Sequence, residues 1–407
     1  MKIAATAALA GGIYAGYRHY VQIRHEVAVL VDGPAGQGGG ARTEMAKDTP
    51  AGLLKAEKLL EEVLRIHPRN AFGIVALADV ETQLVGLGYT DRAQRAEETL
   101  RKADEKRVSF AEVFDAHALA LLQAGKAAEA EAYARSLLQK YPAMTAVPRF
   151  LDLLGRAQRA LGKVAEARAS FRRAQEADWR QPRFIADYAD ALLEDGDATG
   201  ALAAFDRALQ ANSEHIRSLI GKARAQIALA RDGRGDAGAA RSLLDGVLRR
   251  PELELTTALR ARALAARAEA RLLQKDSPGA AEDSAAALVL APRLAPALRA
   301  RAMVDAATAK STAGDGMLAA AAADRWDAST YLDGAAALEA AGDLAGTRKL
   351  LDAYAAALPP STRYYLARAQ LLTLSNDPEG ARAAAAEAAA LEPANALVRG
   401  PDPVRRR

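Results

Sequence analysis

Arginine recurs at one fixed spacing along the chain. Arg149, Arg183 and Arg217 are each 34 residues apart, and acidic residues lie near them in the sequence. A guanidinium group presents a planar set of donors that suits a carboxylate or a phosphate. If the three side chains occupy equivalent positions of a repeated unit, they form a row that could bind an acidic tail or a peptide C-terminus.

Residues that could support catalysis are present but are not grouped. The five histidines, at positions 19, 25, 67, 117 and 215, never pair at i and i+4, and no metalloprotease, hydrolase or kinase motif occurs. The chain contains no cysteine, which excludes a thiolate metal site, a cysteine nucleophile and a disulfide framework. We therefore expect neither an enzyme nor a cofactor or metal.

The segment from Val27 to Ala41 matches a dinucleotide fingerprint only in part. An apolar run, which is predicted to form a short strand, precedes Gly36-x-Gly38-x-x-Ala41. Dinucleotide binding requires a helix that begins directly after the glycines, within alternating strands and helices. Pro50 and Gly52 interrupt the residues that follow, so we interpret the segment as a flexible linker.

The composition favours helices throughout. Alanine is abundant, aromatic residues make up only 5% of the 407 residues, and hydrophobic residues make up 50%. Alanine loses no side-chain entropy in a helix, so an all-α chain is expected. The 55 basic and 51 acidic residues leave a net charge of +4, which is too close to balance to indicate nucleic acid.

Two stretches of the sequence align at an offset of 34 residues, beginning at Pro148 and Pro182. The aligned pairs are Gly155 with Ala189, Gly162 with Gly196, Ala167 with Ala201, and Phe171 with Phe205. Small residues recur where paired helices approach, glycine recurs at the turn, and phenylalanine fills the gap to the next unit. This pattern resembles the tetratricopeptide repeat (TPR) family, whose helix–turn–helix unit has the same length.

The resemblance covers residues 51–395 in about nine or ten units. It implies an all-α, right-handed superhelical solenoid, in which each unit is stabilised by stacking on its neighbours. Residues 1–31 then form an apolar segment and its flank, residues 32–50 a glycine-rich linker, and residues 396–407 a basic tail.

The resemblance also implies where a partner binds, because the first helices of TPR units line a concave groove. The groove positions of the family fall on Arg149, Asp152, Arg156, Arg159, Arg183, Asp187, Asp190, Arg217 and Arg224. An acidic peptide segment is the expected ligand, unless the acidic members neutralise the arginine row. The family's clamp for acidic chaperone tails uses asparagines where this chain has Arg156 and Asp187, so that clamp is not expected.

Residues 3–17 carry no charge. As a helix they would span about 22 Å, which is short of the roughly 30 Å hydrocarbon core of a bilayer. We predict a single-pass anchor or an uncleaved signal; a cleaved secretory signal and a helix docked on the solenoid are the alternatives. The flanking charges favour a cytoplasmic repeat domain, and the periplasmic side and a fully soluble protein stay open.

Together these features predict a non-catalytic protein-interaction scaffold, tethered to a membrane, that serves assembly or quality control of a bacterial envelope complex. The envelope role follows from analogy with anchored bacterial repeat proteins rather than from any residue. One alternative is a soluble regulatory TPR scaffold without an anchor. Another is an exported structural component that self-associates through its C-terminal end. Nucleic acid is not an expected partner.

Overall fold

The computed structural model of the protein describes residues 21–33, 39–105, 111–142, 147–251 and 254–392, which form helices and turns and contain no β-strand. Numbered in chain order, the helices are α1 (21–32), α2 (Ala41–Ala46), α3 (Pro50–Ile66), α4 (Ala71–Gly86), α5 (Ala93–Glu105), α6 (Ala111–Gln123), α7 (Ala127–Lys140), α8 (Val147–Ala160), α9 (Val164–Ala177), α10 (Pro182–Glu194), α11 (Ala198–Ala211), α12 (Ile216–Arg231), α13 (Ala237–Leu248), α14 (Thr257–Leu273), α15 (Ser277–Leu290), α16 (Ala295–Ala307), α17 (Ala313–Ala323), α18 (Ala328–Ala340), α19 (Leu344–Ala357), α20 (Thr362–Leu374) and α21 (Pro378–Leu391).

From α4 onwards the described helices form nine consecutive pairs, from α4 with α5 to α20 with α21. The first helices of neighbouring pairs also contact each other, as α4 contacts α6 and α14 contacts α16. Helix α3 precedes the first complete pair and packs on α4. The predicted fold class, an all-α solenoid of TPR-like helix pairs, is confirmed.

Glycine ends the first helix of several pairs because the turn requires left-handed backbone. Gly162 and Gly196 have φ values of 77° and 87°, and Gly125 and Gly342 repeat this conformation at 74° and 80°. A residue with a Cβ atom is disfavoured in this region, whereas glycine enters it readily. The glycines that recur in the sequence alignment therefore lie at the turns, as predicted.

A second motif, Asp-x-x-Gly, begins the second helix of several pairs. The side chain of Asp197 accepts a hydrogen bond from the Gly200 amide at 2.8 Å, and Asp377 accepts one from Gly380 at 2.9 Å. Such caps satisfy amides that have no partner within the helix. A Cβ atom on Gly200 would lie 2.3 Å from an Asp197 carboxylate oxygen, so a larger residue at this position would require the capping side chain to shift.

The residues predicted to pack the helices are buried. They are Gly155, Ala167, Phe171, Ala189, Ala201 and Phe205. The Phe205 ring of α11 lies directly against Gly221 of α12, where a Cβ atom would come within 2.3 Å of ring atoms. This phenylalanine therefore fills the space between its own pair and the next one.

The strand predicted after Val27 is wrong, because residues 21–32 are helical. A short apolar run fits a strand and a buried helix equally well, and periodicity alone does not separate them. Gly36 and Gly38 of the partial fingerprint lie outside the described residues.

The segment predicted as a linker, residues 32–50, contains the short helix α2. Ala41 is buried in one hydrophobic cluster with Leu53 of α3. The Glu44 carboxylate forms ion pairs with Lys47 and Lys55, both at 2.7 Å. Part of this glycine-containing segment is therefore packed on α3.

The predicted anchor, residues 3–17, and the predicted basic tail, residues 396–407, lie outside the described residues. Among the residues that are described, none of the helices has the length and apolar character needed to cross a bilayer.

The chain divides into two compact units. Unit 1 is Met1–Ala157 with Gln181–Arg183, and unit 2 is Gln158–Arg180 with Phe184–Arg407.

Candidate partner-binding surface

In unit 1, four charged side chains from successive first helices form the unit 1 charge cluster: Asp79, Asp115, Arg149 and Arg183. Arg149 Nη1 lies 3.3 Å from Asp79 Oδ2 and 3.2 Å from Asp115 Oδ2. Arg183 Nη2 lies 3.4 Å from the same Asp115 oxygen. Both carboxylates are fully buried and the Arg183 side chain is only 7% exposed. The cluster therefore holds helices of unit 1 together.

Asp152 extends this cluster along α8. One of its carboxylate oxygens lies 3.0 Å from Arg156 Nε and 3.5 Å from Arg183 Nε. Asp152 is completely buried, whereas the Arg156 side chain is 26% exposed. Of the predicted groove residues in unit 1, only Arg149 and Arg156 are thus accessible to a partner.

The carboxyl of Asp79 has an unusual environment. Burial, followed by the nearby charge of Asp115, raises the pKa of Asp79 to about 7, although Arg149 opposes this shift. Desolvation disfavours the charged form of a carboxylate, and a second carboxylate nearby adds repulsion.

In unit 2, Arg159, Glu194 and Asp324 form the unit 2 charge triad. Arg159 donates to both oxygens of Glu194 at 2.6–3.0 Å and to Asp324 Oδ2 at 2.8 Å. The Arg159 side chain is 32% exposed. The triad connects α8 and α10 with a residue 165 positions later in the chain.

The turns on either side of the triad are also in contact with distant residues of unit 2. The Trp326 ring lies against Gly162, where a Cβ atom would be 2.6 Å from ring carbons. Arg363 packs in the same way against Gly196. Together with the triad, these contacts are called the closing contact of unit 2 below.

The other predicted residues of unit 2 pair with each other. Arg224 Nη1 lies 3.0 Å from Asp190 Oδ1, and Arg217 donates to Asp187 and, at 3.4 Å, to Asp190 Oδ2. Arg217 and Arg224 are 31% and 27% exposed. The acidic positions thus neutralise the arginine row locally, while the arginine side chains stay partly accessible.

A further row of charges, absent from the sequence prediction, joins the first helices α12 to α20. Glu269 accepts from Arg231 at 2.7 Å and from Arg299 at 2.8 Å. Asp333 pairs with Arg231, and with Arg363 at 3.1 Å. The faces of α10, α12, α14, α16, α18 and α20 that carry the charges of unit 2, together with Arg159 at the end of α8, are called the inner surface of unit 2.

The 34-residue offset between repeats could have identified some of the carboxylates that pair with these arginines. Asp115 lies 34 residues before Arg149, and Asp190 lies 34 residues before Arg224. In both cases residues at the same position of adjacent repeats contact each other. The position one repeat before Arg149, the first arginine of the row, is therefore Asp115, the carboxylate that pairs with it.

Comparison with other proteins supports the fold. Neither a protein-family model nor a curated protein matches the chain. The crystal structure of the APC/C hetero-tetramer Cut9–Hcn1 aligns with a TM-score of 0.51 and 13% identity over 87% of this chain and 72% of that chain. The human IFIT1 dimer with m7Gppp-AAAA aligns with a TM-score of 0.50 and 14% identity over 88% and 83%.

A tetratricopeptide repeat protein from Parabacteroides merdae is also similar, with 17% identity over 71% of this chain and 96% of that one and a TM-score of 0.38. The helix pairs, their turn glycines and the packing between first helices define a helical-repeat protein. Its fold is that of the tetratricopeptide repeat proteins.

Proposed function

We propose that the protein is a non-catalytic scaffold that holds a segment of a partner protein on the inner surface of unit 2. The observation that supports this is the convergence of partly exposed charges from successive first helices. Arg159, Arg217 and Arg224 keep 27–32% of their side chains accessible while their carboxylate partners orient them. Guanidinium N–H groups held in this way can donate hydrogen bonds to a partner without a large loss of side-chain entropy.

Proteins with similar folds are found in complexes, which agrees with this proposal. Cut9 was solved in an assembly with Hcn1, and human IFIT1 with a capped oligonucleotide. A nucleic acid is a poorer match for the present chain, because Asp187, Asp190 and Glu194 lie among the arginines and would repel phosphodiester groups.

The absence of cysteine permits a clean crosslinking experiment. A single Arg224→Cys variant labelled with a photo-crosslinker would probe the inner surface, and Arg348→Cys, at an exposed position of α19, would be the matched control. In an extract of the native source we expect a distinct protein to crosslink at position 224 and not at 348. Equal crosslinking at both positions, or crosslinking at 348 alone, would contradict an inner binding surface.

The finer proposal is that residues 3–17 tether this scaffold to a membrane, where it serves assembly or quality control of a bacterial envelope complex. Its support is the uncharged character of that segment. Carbonate extraction of membranes should retain the full chain and release a chain that lacks residues 1–31. Release of both chains would favour the soluble regulatory scaffold, and growth of mass with concentration would favour the self-associating component.

A further inference from the structure

The polar contacts on the inner surface of unit 2 form a closed circuit. From α10 to α20, each first helix is joined to the next by an arginine that donates to an acidic or hydroxyl side chain at 2.7–3.1 Å. The pairs are Arg224–Asp190, Arg231–Glu269, Arg299–Glu269, Arg299–Ser329 and Arg363–Asp333. Arg363 also packs against Gly196 in the turn after α10, which returns the circuit to its first helix. The inner surface is therefore bordered all round by contacts within the unit.

The closing contact is the weakest step of this circuit. Between α12 and α20, the first helices that share these side-chain contacts also pack on each other, and Arg299 and Glu269 are only 12% and 9% exposed. In the closing contact, Arg159 and Asp324 keep 32% and 29% of their side chains accessible. Among the described residues, no main-chain hydrogen bond joins the turns after α8 and α10 to the residues they meet. Ion pairs with this much exposure contribute little to stability.

The α17–α18 loop, residues 324–327, carries most of the closing contact and is anchored on one side. Asp327 accepts hydrogen bonds from the hydroxyl groups of Ser329 and Thr330 at 2.6 and 2.7 Å, which fix the loop to the start of α18. From there the side chains of Asp324 and Trp326 reach across to α8 and the turn that follows it. The loop can therefore release α8 while it stays folded on α18.

The same loop lies beside an arginine that we expect to meet a partner. Burial acts to raise the pKa of the Asp327 carboxyl, but the charges of Arg299 and Arg224, with hydrogen bonds from Ser329 and Thr330, lower it. A charge acts on a carboxyl in this way only over a short distance. Arg224, whose side chain is 27% exposed, is therefore close to the loop.

We propose that the closing contact is a latch, and that the α17–α18 loop must release α8 before a partner segment can occupy the inner surface of unit 2. This inference rests on the scaffold function proposed above and adds its regulation. A partner that binds only the open form loses apparent affinity in proportion to the fraction of closed molecules. Weakening the latch should therefore strengthen partner binding, whereas removing an ordinary contact residue would weaken it.

Access to the inner surface tests the latch without a partner. The sequence contains no cysteine, so a single Arg224→Cys can be labelled selectively. A large polyethylene-glycol maleimide should label it slowly, in proportion to the open fraction, and N-ethylmaleimide should label it readily. Asp324→Asn should speed labelling by the large reagent up to about fivefold, because it removes the charge from an exposed ion pair.

Trp326→Ala should speed the same labelling about tenfold, because it removes a half-buried ring from the turn after α8. Trp179→Ala is the matched control. Trp179 is the other tryptophan of the chain and is 65% exposed, so its loss should leave the rate unchanged. Unchanged labelling in both latch variants would show that the closing contact does not restrict access, and would overturn the proposal.

Two further cysteine positions separate opening of the latch from unfolding. Ser284→Cys, in the buried face of α15, should stay protected from both reagents in the Asp324→Asn and Trp326→Ala chains. Arg348→Cys, at an exposed position of α19, should label rapidly and equally in every chain. Rapid labelling at position 284 in the latch variants would show that the closing contact holds the fold together, and would also overturn the proposal.

The photo-crosslinking experiment then connects the latch to the partner. Asp324→Asn and Trp326→Ala should each increase the yield of the protein that crosslinks at position 224. Faster maleimide labelling with an equal or lower crosslinking yield would leave the scaffold function standing and overturn the latch. If none of the three chains crosslinks a protein at position 224, the scaffold function itself fails, and the latch proposal fails with it.

Discussion

The two units carry arginines and carboxylates at similar repeat positions, but these residues serve different roles in each unit. In the unit 1 charge cluster, Arg183 is 7% exposed and its carboxylate partner Asp115 is fully buried, so the charges fix the packing of helices. In the unit 2 charge triad, Arg159 makes shorter hydrogen bonds, at 2.6–3.0 Å, than the 3.4 Å contact of Arg183 with Asp115. Yet the Arg159 side chain keeps 32% of its surface accessible. Burial, rather than residue identity, thus separates a structural charge from one that can meet a partner.

The largest effect should come from reversing the buried arginine of unit 1. Arg183→Glu places another carboxylate beside Asp115 and Asp152, and we expect a loss of about 3–5 kcal/mol in unfolding free energy. Urea denaturation measures this loss of unfolding free energy. Arg217→Glu in unit 2 is the matched control, and we expect it to lose about 1 kcal/mol, because that arginine is 31% exposed. Equal losses would remove the distinction between the units.

The pH dependence of unit 1 should follow from Asp79. Its folded pKa of about 7 exceeds its ordinary value, so the folded state holds a proton that the unfolded chain has released. The unfolding free energy should therefore fall as pH rises from about 4 to 7, by a few kcal/mol at most.

Asp79→Asn should reduce this dependence without abolishing it, because burial also raises the pKa of Glu194 and of Glu339 to about 7. Urea titrations at several pH values would measure the change in slope. An Asp79→Asn chain with the parental slope would contradict the assignment.

The closing contact of unit 2 can be tested at a turn. Gly162→Ala adds a Cβ atom at a positive φ and against the Trp326 ring, and should lower stability by about 2–3 kcal/mol. Gly342→Ala has the same backbone conformation with no atom nearby, so it should lose only about 1 kcal/mol. Thermal denaturation of both variants compares the two, and identical losses would mean that the tryptophan moves aside freely.

The smallest effect should come from a helix cap. Asp377→Ala removes the acceptor of the Gly380 amide and should lower the unfolding free energy by about 1 kcal/mol. Asp377→Asn retains a cap and should be nearly neutral. Denaturation curves that rank the two variants in the opposite order would show that the cap does not stabilise α21.

Local features of this fold could be predicted from the sequence because they recur. Turn glycines such as Gly162 and packing residues such as Phe205 depend on their own pair and the next, and the 34-residue offset reveals both. The helix after residue 21 and helix α2 were missed, because short apolar or glycine-containing segments carry little periodicity.

The candidate site was only half predictable for a related reason. The register located Arg217 and Arg224, but it could not show that Arg183 is buried or that Arg159 meets Asp324. Those properties depend on how several successive pairs stack, which a single repeat does not encode.

The closing contact has a consequence for how unit 2 folds. Repeat arrays with contacts only between neighbours can unfold one repeat at a time. Here Arg159 and Asp324, and the turns around them, connect segments that are 165 residues apart, which adds contacts of high sequence separation. Unit 2 should therefore unfold as one cooperative block, and during synthesis its native state cannot be completed before Arg363 has left the ribosome.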